Sequence, residues 1–434
     1  VSDLPARPSL QHLRKQAKRR HRERGIPLHR AQHDLAQEYG FAGWARLVRH
    51  VEAGALTGPE RVLVLADAAA LRQLLAGSPT VATDPIAALP PLLTLLRRGM
   101  GSAAEVRECA ELLLAAGADP DSHTVESGGQ WRQTALFDAV ERRDLALVRL
   151  LLAHGATPDE DAFYHACEQS DLGYLDALYA PGFERLVRHK LDFEDAAGLR
   201  WFLDHGVDVN AERCLHWAIG RGRGVDILRL LLDAGADVNL PAGAGAHPGH
   251  RPLAIAARCG HLAAYELLRT HGATAELDPV DEAVLAVARG RSTRLPDAPP
   301  PVLGVPDRDG YGWLLGQLAL LGRTEVVRSL LDAGMTVDTR GWSNFTPLDQ
   351  AAMHGRTDTV RLLVERGADL FDCAFDDEGP TPLDCALWGL RNNRAADGDY
   401  PGTVAVLVAA GAPTRHPLPT GDPEIDAVLA TATS

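Results

Sequence analysis

Lysine is almost missing from this chain: three residues, Lys15, Lys18 and Lys190, stand among 44 lysines and arginines in 434 positions. With 41 glycines and 28 prolines besides, this is an actinobacterial type of composition, written in a GC-rich code. Aromatic residues are scarce at 5%. A core must then be filled by Leu, Ala and Val, which favours closely packed short helices over sheets. No run approaches the roughly 18 apolar residues that cross a bilayer, and no apolar segment with a small-residue cleavage site stands at the start. A cytoplasmic protein without membrane contact is expected. The six cysteines (Cys109, Cys167, Cys214, Cys259, Cys373 and Cys385) never form C-x-x-C and lie in apolar stretches, so they read as reduced and mostly buried. No G-x-S-x-G, H-E-x-x-H or Walker loop occurs. No cofactor or metal is therefore expected, and no enzyme class is indicated by motif.

Charge is unevenly spread. The formal net charge is −14, which speaks against nucleic acid as a partner of the whole molecule. Residues 1–58 nevertheless carry 11 Arg or Lys and five Asp or Glu, a net +6 that leaves −20 on the other 376 residues. Within this stretch, SLQHLRKQAKRRHRERG reads as a basic amphipathic helix with Leu10, Leu13 and Ala17 on one face. Two further short helices follow, meeting at Gly40. The commoner use of a run such as Arg14, Lys15, Lys18, Arg19, Arg20, Arg22 and Arg24 is a solvated face. Residues 1–58 are expected to form a helical cap.

At 434 residues one core is too small a plan, and self-similarity is the first thing to test. One phrase returns: LLLAAGADPD at 112–121, LLLAHGATPD at 150–159, FLDHGVDVN at 202–210, LLLDAGADVN at 230–239, LLRTHGAT at 267–274, LLDAGMTVD at 330–338, LLVERGADL at 362–370 and VLVAAGAPT at 406–414. Its glycine supplies the left-handed residue that ends a helix. Gly334 and Gly367 are 33 residues apart. Upstream stand shorter helices with turn-type openings: TALFDAV at 134–140, RPLAIAA at 251–257, TPLDQAA at 346–352 and TPLDCAL at 381–387. RVLVLADAAALRQLLAG, within 60–79, reads as a degenerate first unit.

These phrases resemble the ankyrin repeat family, whose repeat of about 33 residues runs T-P-L-H-x-A-A, a glycine turn, then V-V-x-L-L-L-x-x-G-A-D-x-N. The resemblance covers roughly 85–415. It implies an all-α, curved solenoid of about ten helix-turn-helix repeats over 59–434, with extended hairpin links and a Pro-rich interruption at 296–306. The family histidine survives only as His216; Phe137, Ala254, Gly316, Asp349 and Asp384 take its place elsewhere. Those turns must be held by other bonds.

Positions four and seven of the short helix share a face that the resemblance puts on the concave side. Read along the repeats, they give a candidate binding strip of Asp138, Glu141, His165, Glu168, His189, Asp192 and Trp217, followed by Ile255, Arg258, Gln317, Leu320, Gln350, Met353, Cys385 and Trp388. Trp131, Tyr311, Trp313, Trp342, Phe345 and Trp388 are candidate aromatic anchors. The acidic set Asp372, Asp376, Asp377 and Glu378 reads as a wet loop, and His247 with His250 are two ligands at most, too few for zinc. The leading expectation is a binding or adaptor protein for a protein or peptide. The alternative is a small-molecule binder, or an enzyme using the carboxylate and histidine strip for acid-base work. The sequence says nothing of oligomeric state.

Overall fold

Helix ends decide this architecture. In a computed structural model of the protein, residues 9–24, 28–39, 44–125, 132–243, 247–291, 314–340, 344–371, 380–392, 395, 397–413, 420 and 422–432 are described. The Pro-rich 296–306 and the acidic set Asp372, Asp376, Asp377 and Glu378 lie outside the described residues. All eight phrase glycines take a positive φ, from 80° at Gly206 and Gly272 to 98° at Gly334. A Cβ at any of them would meet nothing within 4 Å, so the requirement is conformational and not steric. After each, the next residue's N–H reaches back to the helix, as from Ala118 to the Leu113 carbonyl at 2.9 Å and from Ala368 to that of Leu363 at 3.1 Å.

Two compact units result. The first spans Val1–Ala166 with Gly173–Ala180. It opens with Leu10–Arg24 (α1), Leu28–Glu38 (α2) and Trp44–Glu52 (α3), which enclose a small core of Leu13, Ala17, Leu35, Ala36 and Leu47. Helix pairs follow: Gly58–Leu65 (α4) with Ala68–Gly77 (α5), Pro91–Arg98 (α6) with Ala103–Ala115 (α7), Ala135–Glu141 (α8) with Leu145–Ala153 (α9), and Glu160–Ala166 (α10) with Gly173–Leu178 (α11). The even-numbered helices pack in one row, α4 to α6 to α8 to α10, and the odd-numbered in another. Asp67, Ser102, Thr134 and Asp144 each cap the helix they precede by accepting a backbone N–H. His123–Val125 (β1) and Arg132–Thr134 (β2) form an antiparallel hairpin with His123 opposite Thr134.

The second unit holds Cys167–Leu172 and Pro181–Ser434. Its helices are Val187–Lys190 (α12), Ala196–Asp204 (α13), Cys214–Gly220 (α14), Val225–Asp233 (α15), Pro252–Arg258 (α16), Leu262–Thr270 (α17), Pro279–Ala288 (α18), Leu314–Leu320 (α19), Thr324–Asp332 (α20), Pro347–Met353 (α21), Thr357–Glu365 (α22), Pro382–Arg391 (α23), Tyr400–Ala409 (α24) and Pro423–Ala432 (α25). The same two-row stacking recurs. Several links are tied to the next by a side chain that ends the repeated phrase: Asn210 Oδ1 accepts from the Asp237 N–H at 2.8 Å, and Asn239 Oδ1 from that of Thr274 at 2.8 Å. In the first unit Asp121 does this for Thr157 at 2.7 Å.

Two features were not anticipated. Helix α25 closes the last repeat by burying Ile425 and Leu429, four residues apart, in the same core as Val404 and Leu407. Two of the turns that lack the family histidine, those with Asp349 and Asp384 in its place, are rebuilt as capping boxes. Asp349 accepts from the Thr346 N–H at 2.9 Å while its own N–H donates to Thr346 Oγ1 at 3.2 Å, and Asp384 does the same with Thr381. Among the described residues no helix is long and apolar enough to cross a membrane.

Candidate functional site

The expected strip divides between the units, and each part is described alone. In the first, α8 carries Asp138 and Glu141, and α10 carries His165. Asp138 is buried and accepts from Arg97 Nε at 2.8 Å; Arg97 also donates to Thr124 Oγ1 and the Gln133 carbonyl. Burial pushes the Asp138 carboxyl up to about 6, with Arg97 pulling the other way. This acid therefore serves to bind α8 to α6 and the hairpin. His165 lies 3.6 Å from Glu141 through Nδ1 and packs edge-on to Phe137 and Tyr164.

In the second unit the remaining four residues form one network. His189, at the end of α12, places Nδ1 3.2 Å from Asp192 Oδ2 and Nε2 3.3 Å from Glu168 Oε1. Asp192 Oδ1 accepts from Trp217 Nε1 at 3.0 Å and from Arg221 Nε at 2.7 Å. The Arg221 guanidinium carbon lies 4.7 Å from the centroid of the Trp217 ring, and that of Arg188 5.6 Å. Both nitrogens of His189 are thus engaged by carboxylates, and the residue is only 9% exposed. Trp217 is half-buried, with its indole N–H fixed and two guanidinium groups near its ring.

Sequence reasoning missed the neighbour that holds α12 in place. Lys190 is 2% exposed and donates to the carbonyls of Cys167 at 3.0 Å and Gln169 at 2.8 Å, with Asp195 Oδ2 at 2.5 Å. As the one lysine outside the basic cap it was visible in composition, yet nothing in the pattern placed it inside.

Further along, several positions expected on the open face are covered. Ile255, Arg258, Leu320, Met353 and Cys385 are buried, because helices of one row pack side by side and each shields its neighbour's flank. Trp388 stays 37% exposed and Phe345 is partly buried. Trp131, Tyr311, Trp313 and Trp342 lie outside the described residues.

Two other places could hold ligands. His250, Asp278 and Asp281 offer donor atoms within 4.8 Å of one another. A cation is already there: Arg258 donates through Nε to Asp281 at 2.7 Å and through its terminal nitrogen to Asp278. A cleft of about 590 Å³ is walled by Leu262, Ala263, Val287, Ala288 and Val326 with Arg323; none of the expected site residues lines it. Among the described residues the cysteines offer no exposed thiol. Cys109, Cys167, Cys214, Cys259 and Cys385 are free and buried, and burial pushes the first four up to about 12. Cys373 lies outside the described residues.

Stacked helix pairs with glycine stops and side-chain-tied links define a helical repeat protein. Within the second unit, the family of ankyrin repeats in three copies matches residues 191–281, and that of ankyrin repeats in many copies matches residues 348–396. Each unit is an all-α stack of helix pairs, the architecture of ankyrin repeats. Ankyrin repeats are in general protein-interaction modules. No curated protein matches the chain.

Proposed function

We propose that this chain is a binding scaffold that grips a protein or peptide partner, and that the inner-helix network of the second unit is part of the grip. The observation that carries the reading is the fixed state of Trp217. Its indole is anchored by Asp192, which His189 and Arg221 in turn hold, while part of its ring stays open. An aromatic side chain that is already ordered loses little entropy on binding and is the residue type most often found at the centre of an interface. The same network argues for recognition over proton transfer, since His189 has no nitrogen left for a substrate.

A peptide-display selection against the full immobilised chain tests this. Trp217→Ala should cost the selected peptides at least about 2 kcal/mol, roughly thirtyfold in affinity, with thermal stability changed far less. His189→Ala should weaken them as well, by loosening the anchor. Peptides that bind the wild-type chain and both variants equally would remove the network from the interface.

A further inference from the structure

The cap's basic run is more than a charged segment. Helix α1 turns Leu13 and Ala17 inward, where they meet Leu35, Ala36 and Leu47. Its opposite side carries Arg14, Lys15, Lys18 and Arg22, all exposed. At 100° per residue these four fall within an arc of about 100°, spread over about 12 Å of helix. Their neighbours behave differently: Arg19 pairs with Glu23 at 2.6 Å and Arg20 with Glu38 at 2.5 Å. Among the described residues Arg14, Lys15, Lys18 and Arg22 make no ion pair or hydrogen bond. Among the described residues no side chain pairs with these four cations, which share one helix face in a chain that is otherwise strongly acidic.

We propose that this face of α1 is a docking surface for the phosphate backbone of double-stranded DNA. Charge complementarity selects a polyanion, and the structure narrows which one. A membrane-surface helix needs a free apolar face, but that of α1 is consumed by the cap's own core. Single strands are gripped chiefly by stacking on broad aromatic rings, and α1 has no Phe, Tyr or Trp. A duplex presents closely spaced phosphates on a rigid rod and needs only a straight row of cations. Repulsion from the chain's −20 remainder is screened beyond about 8 Å at physiological ionic strength, so it does not cancel contacts made at the helix surface. Binding of this kind positions and does not read sequence.

The experiment uses the full chain and a short, fluorescently labelled DNA duplex of mixed sequence, followed by anisotropy. With four contacts, log K should fall against log salt with a slope of about −3.6, a loss of about a hundredfold between 50 and 200 mM. The variant R14Q/K15Q/K18Q/R22Q should lose at least tenfold at the lower salt and most of the slope, with an unchanged thermal melt showing the cap intact. R14K/R22K should bind within about threefold of wild type, since a phosphate contact needs charge more than shape. Failure of the wild-type chain to bind at low salt, equal binding by the quadruple variant, or tighter binding to single strands or anionic phosphatidylserine vesicles would each overturn the proposal.

Discussion

Arg258 and Asp281 sit face to face in the second unit, Nε to Oδ1 at 2.7 Å, each only 1% exposed. A buried pair is expensive to desolvate and more expensive to break. Arg258→Met should therefore cost about 3–5 kcal/mol in urea unfolding, because Asp281 and Asp278 lose their cation. The double variant R258M/D281L should recover most of that loss. Equal destabilisation by the single and double changes would mean that the two charges are not coupled.

Gly389 marks a close approach of two helix backbones. A Cβ there would meet the Met353 carbonyl oxygen at 2.0 Å and Tyr400 Cε1 at 3.0 Å, so α23 can lie against α21 only without a side chain. Gly389→Ala should cost about 2–4 kcal/mol despite its better helix propensity. At Gly334, where nothing crowds a Cβ but φ is +98°, alanine should cost about 1 kcal/mol. Comparing the two melts separates steric from conformational need; a stabilised Gly389→Ala would contradict the close approach.

The rebuilt helix openings make a third test. Asp349 is fully buried and holds both the N–H and the hydroxyl of Thr346 at 2.9 Å. Asp349→Ala should cost about 1–3 kcal/mol, and Thr346→Ala about 1 kcal/mol, with faster amide exchange over 346–353 in each. Their double variant should fall short of the sum, since they share bonds. Strict additivity would show that the box is not a unit.

Buried histidines and buried carboxyls should make stability depend on pH in opposite senses. Burial lowers the His216, His247 and His261 titrations, that of His247 to about 3. Below about 6.5 the unfolded chain takes up protons that the folded chain refuses, so stability falls as pH falls, by about 1.4 kcal/mol per pH unit for each such group. His247→Gln should flatten this acid limb in urea titrations. Asp138 is raised to about 6 by burial, so between about 3.9 and 6 the folded chain holds the extra proton and stability at that group falls as pH rises. Asp138→Asn should remove that slope; an unchanged slope would place the carboxyl at its ordinary value.

The repeated phrase determined the helices and where they stop. A glycine at C′ answers a local demand for positive φ, and a leucine run before it answers the need for a buried stripe, so both are written in neighbouring residues. The amphipathic helix α1 was legible for the same reason. What lay beyond the sequence depends on partners 20 or more positions away. Lys190 is inside because carbonyls at 167 and 169 receive it, Arg258 because Asp278 and Asp281 do, and Asp138 because Arg97 reaches it from an earlier repeat. Counting positions on one helix gives a face but not its cover. Ile255 and Cys385 share that counted face with Trp217 and are nevertheless buried, because whether a face stays open is decided by how closely the next helix in the row packs, which is a property of tertiary structure.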